Sequence, residues 1–317
     1  MNPKTIRITF AAVSLLSSWC GASHAAVTFQ FNYLDATWSN DAKASLNNAA
    51  SLLSSYFPSY TTTVVMDVTG TNAPASTTLA SAGSNYATTT AGFGNLGVVG
   101  SKIQTGNDLN GAGSDGTVNA NFGQPWSFGN TVSTMQYDFT DTMFHEIGHA
   151  IGFISLVEKN GLSSFHSNTP GAFSPFDQYL TNGSGTLLVN PTTFTTNGDW
   201  TTASVGGTGT IPATPNTGLY FSGPNAKAAN GGNAVPLYSP TTWSNGSSGS
   251  HLDDDFYVAP NQKTMNAATP FGPGVREFTP LEQGFFKDFG YVVVPEPGSA
   301  LLALAAFGLT AARRRRA

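Results

Sequence analysis

Val27 to Asn32 (VTFQFN) alternates apolar and polar positions, the period of a strand with one buried face. Asp41 to Phe57 then places Leu46, Ala50, Leu53 and Phe57 on one face at helical spacing, and Pro58 marks the stop. Thr63 to Val68 (TVVMDV) predicts a second strand, so the chain opens as strand, helix, strand, which in a parallel pair takes a right-handed crossover. Leu96 to Val99 and Thr117 to Phe122 predict further strands between Gly-, Asn- and Asp-rich loops. A helix follows from about Asp141 to Ile151, with Thr140 as N-cap, Asp141 on the positive end and Gly152 as a left-handed stop. From Thr181 to Ser250 short apolar patches such as Leu219-Tyr220-Phe221 sit in Thr, Ser, Gly and Asn, which predicts loops and short strands without a repeat. TPLEQGFFKDFG closes the pattern with a helix: Thr279 as N-cap, Pro280 at the first position, Glu282 completing a capping box and Gly290 as terminator. Strands early, a central helix and a terminal helix make an α+β chain.

The two ends read differently from the body. Met1 to Ala25 has Lys4 and Arg7, an apolar run from Ile8 to Trp19, then Ser23-His24-Ala25, the order of a secretory signal. The expected mature start is near Ala26. At the other end Pro295-Glu296-Pro297 precedes an apolar stretch from Ala300 to Ala312 and then Arg313 to Arg316, which the positive-inside rule keeps on the cytoplasmic side. This tail, residues 294–317, resembles the PEP-CTERM sorting signal. The resemblance implies transient inner-membrane anchoring, an exosortase-type partner that cleaves near Pro-Glu-Pro, and export to the surface or extracellular matrix of a Gram-negative bacterium.

Composition sharpens this picture. Apolar residues are 40% of the 317, enough for a core, whereas charged residues are only 10%, which suits a loop-rich extracellular protein. Six of the thirteen basic residues (Lys4, Arg7, Arg313 to Arg316) lie in the end segments, and all eighteen acids lie between Asp35 and Glu296. From Ala26 through Pro297 the chain therefore holds seven basic against eighteen acidic residues, a net charge of −11, which excludes nonspecific binding to nucleic acid or anionic lipid. The single cysteine, Cys20, falls in the signal segment, so neither a disulfide nor a cysteine latch is expected in the body.

The chemistry concentrates in FHEIGHAIGF, residues 144–153. Positions four apart stand on one helical face, so His145 and His149 can both turn a nitrogen toward one zinc ion, with Glu146 beside them as a base for a bound water. Phe144, Ile147, Ala150, Ile151 and Phe153 make the remaining faces apolar, and two buried histidines with a glutamate are costly without partners. A catalytic zinc site needs a third protein ligand. The compact metzincin spacing puts Ser155 at that place, and serine does not serve. Glu158, Asp177, His166 and His251 remain as candidates, since His24 belongs to the signal segment.

His251 stands in SGSHLDDD, with Met265 in the turn-like KTMNAATPFG fourteen residues on and the capped helix after it. This order, HExxHxxGF, a long insertion, a late Ser-His, a methionine turn and a C-terminal helix, resembles leishmanolysin-type metzincins. The resemblance implies that His251 is the third ligand, that Met265 forms an apolar floor beneath the metal, and that the fold is a zincin with a twisted mixed sheet, an active-site helix and a C-terminal helix. It implies a zinc endopeptidase body over residues 26–291, with an N-terminal subdomain 26–154 and a C-terminal subdomain 155–291 holding the insertion, acting on protein or peptide substrates. Tyr257 is an expected oxyanion stabiliser or packed aromatic, and Asp253, Asp254 and Asp255 a calcium site or an exposed acidic turn. A noncatalytic metal-stabilised surface protein and a zinc hydrolase of a nonpeptide bond are the competing functions.

Overall fold

The computed structural model describes residues 26–165 and 170–294. The signal segment, His166 and the tail from Pro295 lie outside the described residues. Val27–Tyr33 forms β1, Asn40–Ser54 forms α1 and Thr62–Thr71 forms β2, and β1 and β2 run parallel with Val27 opposite Thr62. Ser39, one residue ahead of α1, caps it by accepting the Ala42 N–H. The helix ends at Ser54, earlier than its apolar periodicity predicts, yet Tyr56 and Phe57 stay buried beyond its end.

Ala80–Ser84 (β3), Gly97–Thr105 (α2) and Gly116–Asn121 (β4) complete the main unit, a mixed sheet of order β1-β2-β4-β3 in which only β3 is antiparallel to its neighbour. Leu96–Val99, expected as a strand, instead leads into and opens α2. Four apolar residues are too few to separate the two periods, and Gly97 turns the chain at φ 73°, where a Cβ would collide with Ser84. Trp126–Ser127 (β5) and Tyr137–Asp138 (β6) form a short parallel pair that delivers the chain into α3, Phe139–Ala150. The α3 N-cap is Asp138, not Thr140: its carboxylate accepts the Asp141 N–H and is clamped by Arg276. An ionised acceptor at a helix start outcompetes a hydroxyl, so the helix begins two residues early and Thr140 instead hydrogen-bonds Ser45 of α1. All twelve residues of α3 are buried.

The second half contains Leu180–Thr181 (β7), Trp200–Ala203 (α4), Leu219–Phe221 (β8), Pro224–Ala229 (α5) and Val235–Leu237 (β9), with β7, β8 and β9 in one small antiparallel sheet. Pro280–Asp288 is α6, with the expected capping box from Thr279 and Glu282 and with Gly290 at φ 94° just past its end. Phe153, Phe176, Phe221, Phe285 and Phe289 interlock across these elements, with Phe221 and Phe285 stacked at 4.0 Å. Each buried ring contributes about 2–3 kcal/mol, and together they join the end of α3 to the small sheet and to α6. Among the described residues no helix is long and apolar enough to cross a membrane.

Candidate metal centre

His145 and His149 project from α3 one turn apart, as their spacing predicts, and the loop that follows β9 brings His251 to them. The three Nε2 atoms form a triangle: 3.0 Å from His145 to His149, 3.0 Å from His149 to His251 and 3.2 Å from His251 to His145. The outer nitrogens settle what these contacts are. Nδ1 of His145 lies 2.7 Å from the Thr264 carbonyl, that of His149 2.6 Å from Phe153 O and that of His251 2.9 Å from Ser247 O. A carbonyl only accepts, so each Nδ1 carries the proton and each neutral ring turns a bare Nε2 lone pair inward. Three lone pairs facing one another repel unless a cation lies between them.

The set fits a metal ion. Tetrahedral zinc with metal–nitrogen bonds of about 2.0 Å needs its nitrogens about 3.3 Å apart, close to the observed edges. The rings are also poised as neutral ligands. Burial pushes His145 down to about 4 and His251 down to about 3, and burial together with its two neighbours holds His149 well below its ordinary value. All three are buried, and they form a group able to hold a metal ion.

Glu146 stands next to His145 on α3, 8% exposed, and lines a cleft of about 740 Å³ together with the three histidines. Burial pushes its carboxyl up to about 8, opposed by a hydrogen bond from the Ala82 backbone. One wall of the cleft is Thr77 to Ala82, including part of the edge strand β3. Ser244 to Ser247, His251 and Ala267 to Thr269 also line it. Among the described residues no lysine or arginine lines the cleft.

The other candidates have different positions. Asp177, at the start of a 3-10 turn, is fully buried, but its Oδ2 accepts from the N–H groups of Leu156 and Ser174 and from the Ser174 hydroxyl. Burial raises it to about 6, and its task is to hold the chain that leaves α3. Glu158 accepts a hydrogen bond from Ser164 in a surface turn. Tyr257 is 6% exposed and absent from the cleft wall; it is a packed aromatic against Phe256. Tyr238, which sequence reasoning passed over, lines the cleft instead, through its hydrogen bond from Tyr238 N–H to His251 O. Asp253, Asp254 and Asp255 come within 4.8 Å of one another, but both Asp253 oxygens already accept loop N–H groups, from Gly209, Asp255 and Phe256. Met265 is fully buried under α3, where a Cβ on Gly148 would lie 2.9 Å from its sulfur.

At the far end of the chain, residues 293–316 match the PEP-CTERM protein-sorting motif. That segment is a PEP-CTERM tail. Proteins with a PEP-CTERM tail are exported and sorted to the cell surface in Gram-negative bacteria, and the motif implies processing by exosortase. No curated protein and no solved structure, metzincins included, matches the chain.

Proposed function

We propose that this protein is an exported zinc-dependent endopeptidase of leishmanolysin-like metzincin type, with His145, His149 and His251 as ligands and Glu146 as base. The supporting observation is the convergence of three proton-free Nε2 atoms beside a buried glutamate in an open cleft. A site built only to stabilise a fold has no use for that glutamate or that opening. The peptidase body runs over residues 26–291, with its two subdomains meeting after residue 154.

A zinc ion held by three histidines polarises a carbonyl and lowers the pKa of a bound water toward about 7. The protein's own groups do the rest. Glu146 takes a proton from the attacking water and returns it to the nitrogen of the leaving amine. Its buried setting favours the protonated form once the proton arrives, and a neighbouring cation draws its pKa down so that it begins ionised. The edge strand β3 offers an extended substrate backbone a row of groups to pair with alongside Glu146.

Zinc content and casein or gelatin cleavage test the proposal. Glu146→Ala is expected to keep its zinc and lose about a thousandfold in rate, while His251→Ala loses zinc. A parent protein without stoichiometric zinc overturns the reading. A zinc-loaded protein that cleaves no peptide bond transfers the site to another reaction or to a structural role.

A further inference from the structure

Glu282 already has one evident role, in the capping box of α6, but its other oxygen reaches elsewhere. The side chain is fully buried. Oε2 accepts from the Thr279 N–H at 2.8 Å and the Thr279 hydroxyl at 2.7 Å, and Oε1 accepts from the Met265 N–H at 2.8 Å. Three donors converge on two oxygens, an arrangement that favours the carboxylate and opposes the burial that raises its pKa.

The Met265 N–H belongs to the same peptide unit as the Thr264 carbonyl, and that carbonyl holds Nδ1–H of His145 at 2.7 Å. Carboxylate, peptide and imidazole thus form one chain of hydrogen bonds, each polarising the next. The Met265 carbonyl in turn accepts the N–H of Leu252 at 2.8 Å, the residue after His251. The Met265 side chain fills the space under Gly148, between the two helix histidines. One short segment, 264–265, therefore holds His145 directly and contacts the chain neighbours of the other two, Leu252 beside His251 and Gly148 beside His149, and Glu282 anchors it. Direct histidine–carboxylate pairs are a common way to orient and strengthen a metal-binding imidazole; in this protein all three Nδ1 atoms face backbone carbonyls instead.

We propose that Glu282 is a positioning residue for the metal centre, orienting and polarising His145 through the Thr264–Met265 peptide; the proposal rests on the three histidines being metal ligands. It gives α6 a part in the chemistry beyond packing. The test uses the full exported protein, with zinc affinity measured by chelator competition and site geometry by the visible spectrum of the cobalt-substituted form. Glu282→Gln is expected to weaken zinc binding about 10- to 100-fold and to shift the cobalt bands. Thr279→Ala removes one capping hydroxyl but leaves the Met265 contact, so it should lower the melting temperature with zinc affinity and cobalt spectrum unchanged. Should Glu282→Gln not fold, Glu282→Asp keeps the charge with one methylene less reach, and the same two measurements should move in the same direction. Wild-type affinity and spectrum in either folded Glu282 variant overturn the proposal, as does an equal loss of affinity in Thr279→Ala. A wild-type protein that binds neither metal removes the histidine-ligand reading itself.

Discussion

Glu146 is buried and, among the described residues, no lysine or arginine lines its cleft, so burial pushes its carboxyl up to about 8 from an ordinary value near 4.5. The sign of the consequence is fixed. For an acid whose folded pKa is raised, folding favours the protonated form, so stability is lost as pH rises from about 4.5 to about 8. Glu146→Gln removes that loss. In chelator, the variant should match wild type near pH 4.5 and exceed it by on the order of 2–4 kcal/mol at pH 8, read from denaturant midpoints. Saturating zinc should shrink the difference, because a cation at the three histidines favours the carboxylate. A constant difference across pH contradicts the account. His251 shows the opposite economy at residue scale: nothing in SGSHLDDD marks its ring as buried, and the directions of its Nε2 and Nδ1 are set by the fold.

The start of α3 is the element on which the centre depends, and it is set from far away in sequence. Asp138 caps the helix and is bound by Arg276, whose Nε and two terminal nitrogens reach Asp138, Asn130 and the Gly129 carbonyl. Asp141, one turn in, is raised well above its ordinary value by burial and by the neighbouring Asp138 charge, with Arg276 opposing. It packs against Gly274, where any Cβ would overlap its carboxylate. Two acids in the first turn suit the helix dipole, but buried together they need the guanidinium. Arg276→Ala should therefore cost about 3 kcal/mol and weaken zinc binding by displacing His145, whereas Arg276→Lys, which keeps the charge without the fork, should recover only part. The apolar pattern located this helix to within two residues at each end. Its cap is Asp138 and not the expected Thr140 because the competing acceptor is held by a partner 138 residues away.

At the scale of the molecule the chain stays packed on the body through Val294, the second residue of the segment that matches the sorting motif. The Tyr291 hydroxyl donates to the Ile151 carbonyl at 2.6 Å, just past the end of α3, Val293 is buried, and the Val294 N–H bonds the Tyr56 carbonyl at 3.1 Å. A protein ending at Val294 should melt within a few degrees of one that retains the tail. Ending at Gly290 removes the Tyr291 ring and should cost about 4 kcal/mol, with zinc affinity falling because the end of α3 loosens. Equal melting temperatures for the two truncations would contradict the packing described here.

Local rules acting over a few residues determined much of this protein from sequence: the strand–helix–strand opening, α3 with its paired histidines and glutamate, the capping box of α6 and the three-part PEP-CTERM tail. Each depends on periodicity, capping or motif order, which neighbouring residues alone satisfy. Tertiary structure decided the rest. It selected His251 over Asp177 for the converging group, turned Leu96–Val99 toward α2, put Tyr238 rather than Tyr257 on the cleft wall and tied Glu282 to His145 through a peptide. The reason is physical: backbone carbonyls and N–H groups look alike at every position in a sequence, and only folding determines which of them meets a histidine or a carboxylate.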